Sequence, residues 1–284
     1  MVINYWGNTK GRRHMLALYH HGTSVCAAKP RLVLAEKGIE WESRYVDILA
    51  NEQFAPEYLA LNPEGVVPTL MHDGQVIRES TLICEYLDAV FPETPLVPDD
   101  ALSRYEMRLW TMRMDKEHPL NVGPLTFAIS HRHGVLRHGD DAVDKYINAM
   151  GPAQVERRQR MLSADIEAPG PKASLKICDK LLGDMEVVLG ERSWLSGEEF
   201  SLADIGVIPY INRLDMLQLS GMWTEARPQV TDWFERVKSR ASYLPAMFEF
   251  VPPPLTALMK EKGAEAWPRA EAILAELEKS AYGA

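Results

Sequence analysis

Short apolar runs broken by turn residues fill the first ninety positions, and segments with apolar residues three or four apart fill the rest. The run 15–19 (MLALY) predicts a strand, and HHGTS after it predicts a turn. Residues 25–37 follow a helical period through Ala27, Ala28, Leu32, Val33 and Ala35 and stop at Gly38. Pro30 falls early in that helix, where its missing N–H does least harm. The alternation in 41–48 (WESRYVDI) predicts a second strand, and 51–61 is polar and helix-like. Asp73-Gly74 between two short apolar runs predicts a hairpin, because both central turn positions need φ > 0. A helix from Ser80 to about Val90 completes a β-α-β-α-β-β-α order. The three prolines of 91–100 (FPETPLVPDD) mark a linker.

Past Ala101 strand signals vanish. Helices are expected over 102–126, 142–166 and 173–189, with a polar loop at 131–141 and a break at Ala168-Pro169-Gly170-Pro171. Ser201-Leu202-Ala203-Asp204 has the form of a capping box opening an apolar helix, which Pro209 should kink unless the helix begins later. Pro252-Pro253-Pro254 closes the helical part, and an amphipathic tail follows over 256–280. The expected organisation is an extension at 1–14, an α/β domain at 15–92, and an all-helical domain at 101–284 with its tail at 252–284.

The 284 residues are enough for two domains. With 46% apolar and 25% charged residues the profile is that of an ordinary water-soluble chain. A net charge of −9 argues against nucleic acid or an anionic membrane as partner. Cys26, Cys84 and Cys178 are odd in number and far apart, which suits neither a disulfide framework nor a zinc site. Residues 1–14 lack the apolar core of a secretory signal, so a cytoplasmic location is the default.

Chemistry concentrates in 62–80, NPEGVVPTLMHDGQVIRES. Val67 precedes proline and is pushed to an extended conformation, and Val67-Pro68 is a plausible cis site. A cis bend would turn the Val67 N–H and C=O off the sheet edge, open to an extended peptide. Glu79 and Ser80 open a helix whose first N–H groups favour an anion. Strand pairing, a carboxylate for an ammonium and a helix N-terminus for a carboxylate together suit a short zwitterionic peptide. An ordinary hairpin and helix cap is the plainer alternative.

VVPTL followed by Glu-Ser at this spacing resembles the glutathione site of the cytosolic glutathione transferases. The resemblance implies an α/β thioredoxin-like N-terminal domain followed by an all-α helical C-terminal domain, with glutathione as co-substrate and no metal. It assigns the cysteinyl part of glutathione to Val67 and Pro68 and the γ-glutamyl end to Glu79 and Ser80. Ser24, in Thr23-Ser24-Val25-Cys26 before the first helix, matches the serine that ionises the thiol; it also reads as a plain cap. Cys26 lies in the first helical turn, where its pKa should fall. It is a candidate for a mixed disulfide with glutathione, or a small buried residue; with Lys29 in the partner position, intrachain dithiol exchange is excluded.

Within the family two bacterial groups are similar. Ser-x-Cys, the Val-Val-Pro-Thr-Leu run and Ser-Leu-Ala-Asp-Ile resemble the glutathione-dependent chlorohydroquinone reductive dehalogenases, which implies a redox role for Cys26. ESTLICEYLDAVFPET and Glu106 to Thr111 resemble the lignin β-aryl-ether-cleaving transferases, although Ala27 stands where those would carry serine. The expected function is thiolate attack on an aromatic electrophile, by ether cleavage or, alternatively, by dehalogenase or isomerase chemistry through Cys26. A non-catalytic glutathione-transferase-like binding module is the competing class. The family implies a homodimer, and its first long helix lines the second-substrate site, which nominates Tyr105, Trp110 and Met114; an aromatic stripe at helical spacing is more often core. His131, His133 and His138 do not have the spacing of a helical metal pair. His20 and His21 lie beside the proposed sulfur position.

Overall fold

A computed structural model describes residues 15–118, 121–149 and 151–282; the expected extension at 1–14 lies outside them. Strands β1 (Leu16–His20), β2 (Glu42–Tyr45), β3 (Thr69–His72) and β4 (Gln75–Arg78) form one mixed sheet in the order β2-β1-β3-β4. β1 and β2 are parallel, so the chain must cross over between them, and α1 (Val25–Glu36) is the crossover. β3 and β4 are antiparallel across Asp73-Gly74, whose φ values of 47° and 82° fit the expected two-residue turn. The strand expected over 41–48 is shorter. The Asp47 carboxylate accepts from the N–H of Leu49 (2.9 Å) and Ala50 (3.2 Å) and turns the chain off the ladder. The segment 51–61 divides into a 3₁₀ turn, Glu52–Phe54, and a short α2 (Pro56–Leu59), because pre-proline Ala55 is extended.

Helix α3 (Ser80–Val90) packs beside α1 on one face of the sheet, and α1 packs in turn on the helical half. That half contains α4 (Ala101–Glu117), α5 (Val122–Thr126), α6 (Arg132–Leu136), α7 (Asp140–Asn148), α8 (Val155–Ser163), α9 (Pro169–Leu189), α10 (Leu202–Met216), α11 (Pro228–Lys238), α12 (Tyr243–Phe248) and α13 (Pro253–Tyr282). Three expectations change here. The polar loop expected at 131–141 is largely helical: a π-helical turn, Phe127–His131, packs on α13 and runs into α6. Tertiary packing overrides a polar local sequence. The helix expected over 142–166 splits at Gly151 (φ 77°) and Pro152 into α7 and α8. The prolines at 169–171 start α9 instead of breaking the chain, because proline is tolerated in a first turn.

Helix α10 is the axis of the helical half, with every residue but Asp215 buried. It contains Pro209 and does not begin beyond it; burial on all sides outweighs a helix penalty of about 3 kcal/mol. Its capping box is closed by Asp204, which accepts from the N–H of Ser201 at 3.1 Å and Leu195 at 3.2 Å and from the Trp233 indole at 2.9 Å. Burial raises this carboxyl to a pKa of about 6. Asp204→Ala should therefore strand three buried donors and cost about 3 kcal/mol or more in urea unfolding. A loss below about 1 kcal/mol would show that the box is dispensable.

Candidate functional site

The turn between β1 and α1 is held from behind by two buried arginines. Arg31 of α1 donates to the carbonyls of His21 and Gly22, both at 3.0 Å, and to Ala246 O at 2.7 Å. Arg213 of α10 donates to Thr23 O at 2.5 Å and Thr126 Oγ1 at 3.1 Å. Neither forms a salt bridge with a carboxylate among the described residues. Gly22 is required, since a Cβ there would lie 1.9 Å from the Phe250 carbonyl oxygen. The next residue, Ser24, is the N-cap of α1: its Oγ accepts from Ala27 N–H at 3.1 Å. Its hydroxyl proton has no acceptor among the described residues. The cap reading and a donor role are thus compatible.

Burial, together with these guanidinium charges, holds the nearby imidazoles neutral. His20 and His131 are pushed down to about 3, and His21 is lowered. His20 is engaged at Nε2 by Ser43 (2.8 Å) and at Nδ1 by Arg31 (3.2 Å). His21 Nδ1 bonds Val46 O at 3.1 Å. Both histidines are buried and support the turn.

The Val67-Pro68 bond is cis. The Val67 side chain packs with Val46 and Tyr58, while its backbone N–H and C=O have no partner among the described residues. Its neighbours are clamped: Tyr58 Oη donates to Val66 O at 2.6 Å, Asn62 Nδ2 donates to the same oxygen at 2.9 Å, and Tyr58 Oη meets Thr69 Oγ1 at 3.0 Å. Glu79 caps α3 at φ 67°, a strained conformation for a non-glycine residue. Its carboxylate is exposed and unpaired among the described residues. Ser80 is the first residue of α3, at the positive end of that helix.

The half-buried thiol of Cys26 is at the start of α1. It also lies 3.6 to 3.7 Å from the His118 ring nitrogens, and His118 Nδ1 meets Tyr210 Oη at 3.0 Å. Lys29 and Thr81 converge on Asp115 at 3.1 and 2.8 Å. The expectation of a lowered Cys26 pKa is corrected: burial outweighs the pull of Lys29 and pushes the thiol up. Lys29 entered the sequence analysis only as the residue replacing a second cysteine, and Arg31 and Arg213 not at all, yet all three had one legible signal. Each is a charge inside an otherwise apolar helix segment.

The three residues nominated for the second-substrate site differ in exposure. Tyr105 is exposed, Trp110 packs on the core with Arg113 at 5.7 Å from its ring centroid, and Met114 is fully buried. A cavity of about 350 Å³ lies elsewhere, between the 48–51 loop, residues 127–146 and the start of α13.

Two family models match: "Glutathione S-transferase, N-terminal domain" over residues 23–90 and "Glutathione S-transferase, C-terminal domain" over 152–236. Protein LigF of Sphingobium sp. (strain NBRC 103272 / SYK-6) is 32% identical over 82% of this chain and 93% of its own length. The tetrachloro-p-hydroquinone reductive dehalogenase of Sphingobium chlorophenolicum is 26% identical over 80% of this chain and 94% of its own. The crystal structure of beta-etherase LigF from Sphingobium sp. strain SYK-6 superposes with a TM-score of 0.72 at 30% identity, covering 82% of this chain and 98% of that one.

With Cys26 raised and Cys84 and Cys178 buried and pushed up further, alkylation by iodoacetamide should be slower at pH 7 than that of a free cysteine. It should climb only above the ordinary thiol pKa of about 8.5. Fast labelling of Cys26 at pH 7 would contradict the burial argument.

Proposed function

We propose, since this chain belongs to the glutathione S-transferase family, that it binds glutathione at the starts of α1 and α3 and activates its thiolate against an aromatic electrophile. Val67 pairs with the cysteinyl backbone beside Pro68. Glu79 holds the γ-glutamyl ammonium, and Ser80 with the α3 N-terminus holds its carboxylate. The observation that carries the reading is Ser24: a hydroxyl with an uncommitted proton, at a helix N-terminus, in front of two guanidinium groups without carboxylate partners. Burial is the main reason the imidazoles are uncharged and does not itself favour an anion; the Arg31 and Arg213 guanidinium groups, which lower His20, His21 and His131 further, do favour an anionic sulfur. Ser24 donates to that sulfur, whose ordinary thiol form is a poor nucleophile.

The likeness to a beta-etherase favours β-aryl ether cleavage. The sulfur bonds the carbon β to the ketone, the carbon–oxygen bond breaks, and the phenolate leaves. A second reading, reductive dehalogenation, is favoured by a thiol, Cys26, in the first turn of α1 and by the likeness to a reductive dehalogenase. There the glutathione thiolate displaces chloride to give a conjugate; the Cys26 thiolate attacks the conjugate's sulfur, the carbon–sulfur bond breaks with its electron pair going to carbon, the carbon takes a proton, and the two sulfurs are left as a mixed disulfide. The three free thiols fit a reducing, cytoplasmic setting. Among the described residues no helix is long and apolar enough to cross a membrane. Leu82, Leu102, Tyr105, Leu109 and Met112 are exposed on α3 and α4 and support a homodimer through that face.

Isothermal titration should detect glutathione at millimolar levels or below; no binding would overturn the proposal. Ser24→Ala should lower kcat/KM by roughly one to three powers of ten with little change in glutathione affinity. Unchanged turnover would remove Ser24 from the mechanism. Cys26→Ser should abolish disulfide-forming reduction and spare ether cleavage. A protein that binds glutathione but turns over neither a β-aryl ether, a chlorinated hydroquinone nor a generic electrophile would be a binding module instead.

A further inference from the structure

The cavity of about 350 Å³ is at the lower end of the range for small-molecule sites. Most of its wall comes from residues 127–146, a stretch outside both family-model matches. Phe127 and Tyr146 stack at 5.6 Å and 25°, and Val135, Leu255 and Leu258 complete an apolar wall. Polar lining is one-sided. His131, His138, Lys145 and Arg158 all face it, with no carboxylate among the lining residues, in a chain whose net charge is −9.

Arg158 is the informative group. It is 8% exposed. Its guanidinium lies 4.4 Å from the Tyr146 ring centroid and donates to the Tyr146 carbonyl and, at 3.5 Å, to Asn51 Oδ1. No carboxylate pairs with it among the described residues. A buried charge without a counter-ion is costly unless an anion joins it. Asn51 reaches it from a left-handed conformation, φ 66°. Lys145 is exposed at the rim. On the inner wall the Nδ1 atom of His131 is buried without a partner among the described residues.

We propose that this cavity receives an aromatic compound carrying a carboxylate, with its ring against Phe127, Tyr146 and Leu258 and its anionic group on Arg158 and Lys145. The placement of the reacting carbon near the thiolate rests on the function proposed above; the binding does not. The electrophile is then an aromatic acid and not a neutral arene. The same chemistry has a second source, the glycine carboxylate of glutathione, and the experiment separates the two.

Titration calorimetry on the full chain without glutathione would compare 4-ethoxybenzoate with 4-ethoxybenzamide, and glutathione would be titrated separately. The acid should bind at least tenfold more tightly than the amide. Arg158→Met should bring that ratio near one. Lys145→Glu, at an exposed position where folding is not at stake, should cut it several-fold. Glutathione affinity should change less than twofold in both variants. Equal binding of acid and amide by the native chain, or a ratio that survives both substitutions, overturns the proposal. An unchanged ratio with a tenfold loss of glutathione affinity in Arg158→Met assigns the group to the glycine carboxylate and equally overturns it. Failure of glutathione to bind at all would sink the proposed function while leaving the acid-to-amide ratio to be read.

Discussion

Two guanidinium groups that lie in the interior, without carboxylate partners among the described residues, fix the turn between β1 and α1. Arg31 and Arg213 come from different halves of the molecule and bind three successive backbone carbonyls, those of His21, Gly22 and Thr23. Hydrogen bonds to charged groups are worth about 1.5–3 kcal/mol each, roughly twice the neutral kind. The turn is therefore anchored at three successive carbonyls by charged donors from two helices. Ser24 sits at its end and starts α1, so its hydroxyl is placed by the packing of α10 against the sheet half. The same charges set the local electrostatics: burial and their field keep the surrounding imidazoles neutral. The positive field is left available for an incoming anion.

The molecule divides its work between two kinds of sequence. The sheet half brings together a cis proline, the strained Glu79 and two helix starts, the place proposed above for glutathione. The region between α4 and α8 supplies aromatic and basic side chains to a separate cavity. Most of that wall arises in 127–146, a stretch matched by neither family model.

Much of the sheet half was legible because its signals are local. Asp73-Gly74 forces a hairpin, Val67-Pro68 forces an extended step, and Ser24 and Ser201 cap helices through their own side chains. The helical half was legible as helix but not in its breaks. Nothing local in 127–136 announces a π turn, which exists because that segment packs on α13. Cys26 shows the same limit in electrostatics. Its position in the first turn of α1 favours ionisation, but how deeply α4 and α10 bury it is a tertiary fact, and burial wins. Tyr105 and Trp110 are five residues apart, about 140° around α4, and do not share a face: one is exposed and the other packs on the core. The cavity instead gathers residues from four separate stretches, a grouping that no periodicity can reveal.

The central claim is that a hydroxyl on an anchored turn ionises a bound thiol, and the ultraviolet absorption of a thiolate near 240 nm reads it directly. A pH titration of the glutathione complex should place the bound thiol at least one unit below the ordinary value of about 8.5, and Ser24→Ala should return it towards that value. A bound thiol that titrates at the ordinary value in the native chain, or a depressed one that Ser24→Ala leaves unmoved, would contradict the account.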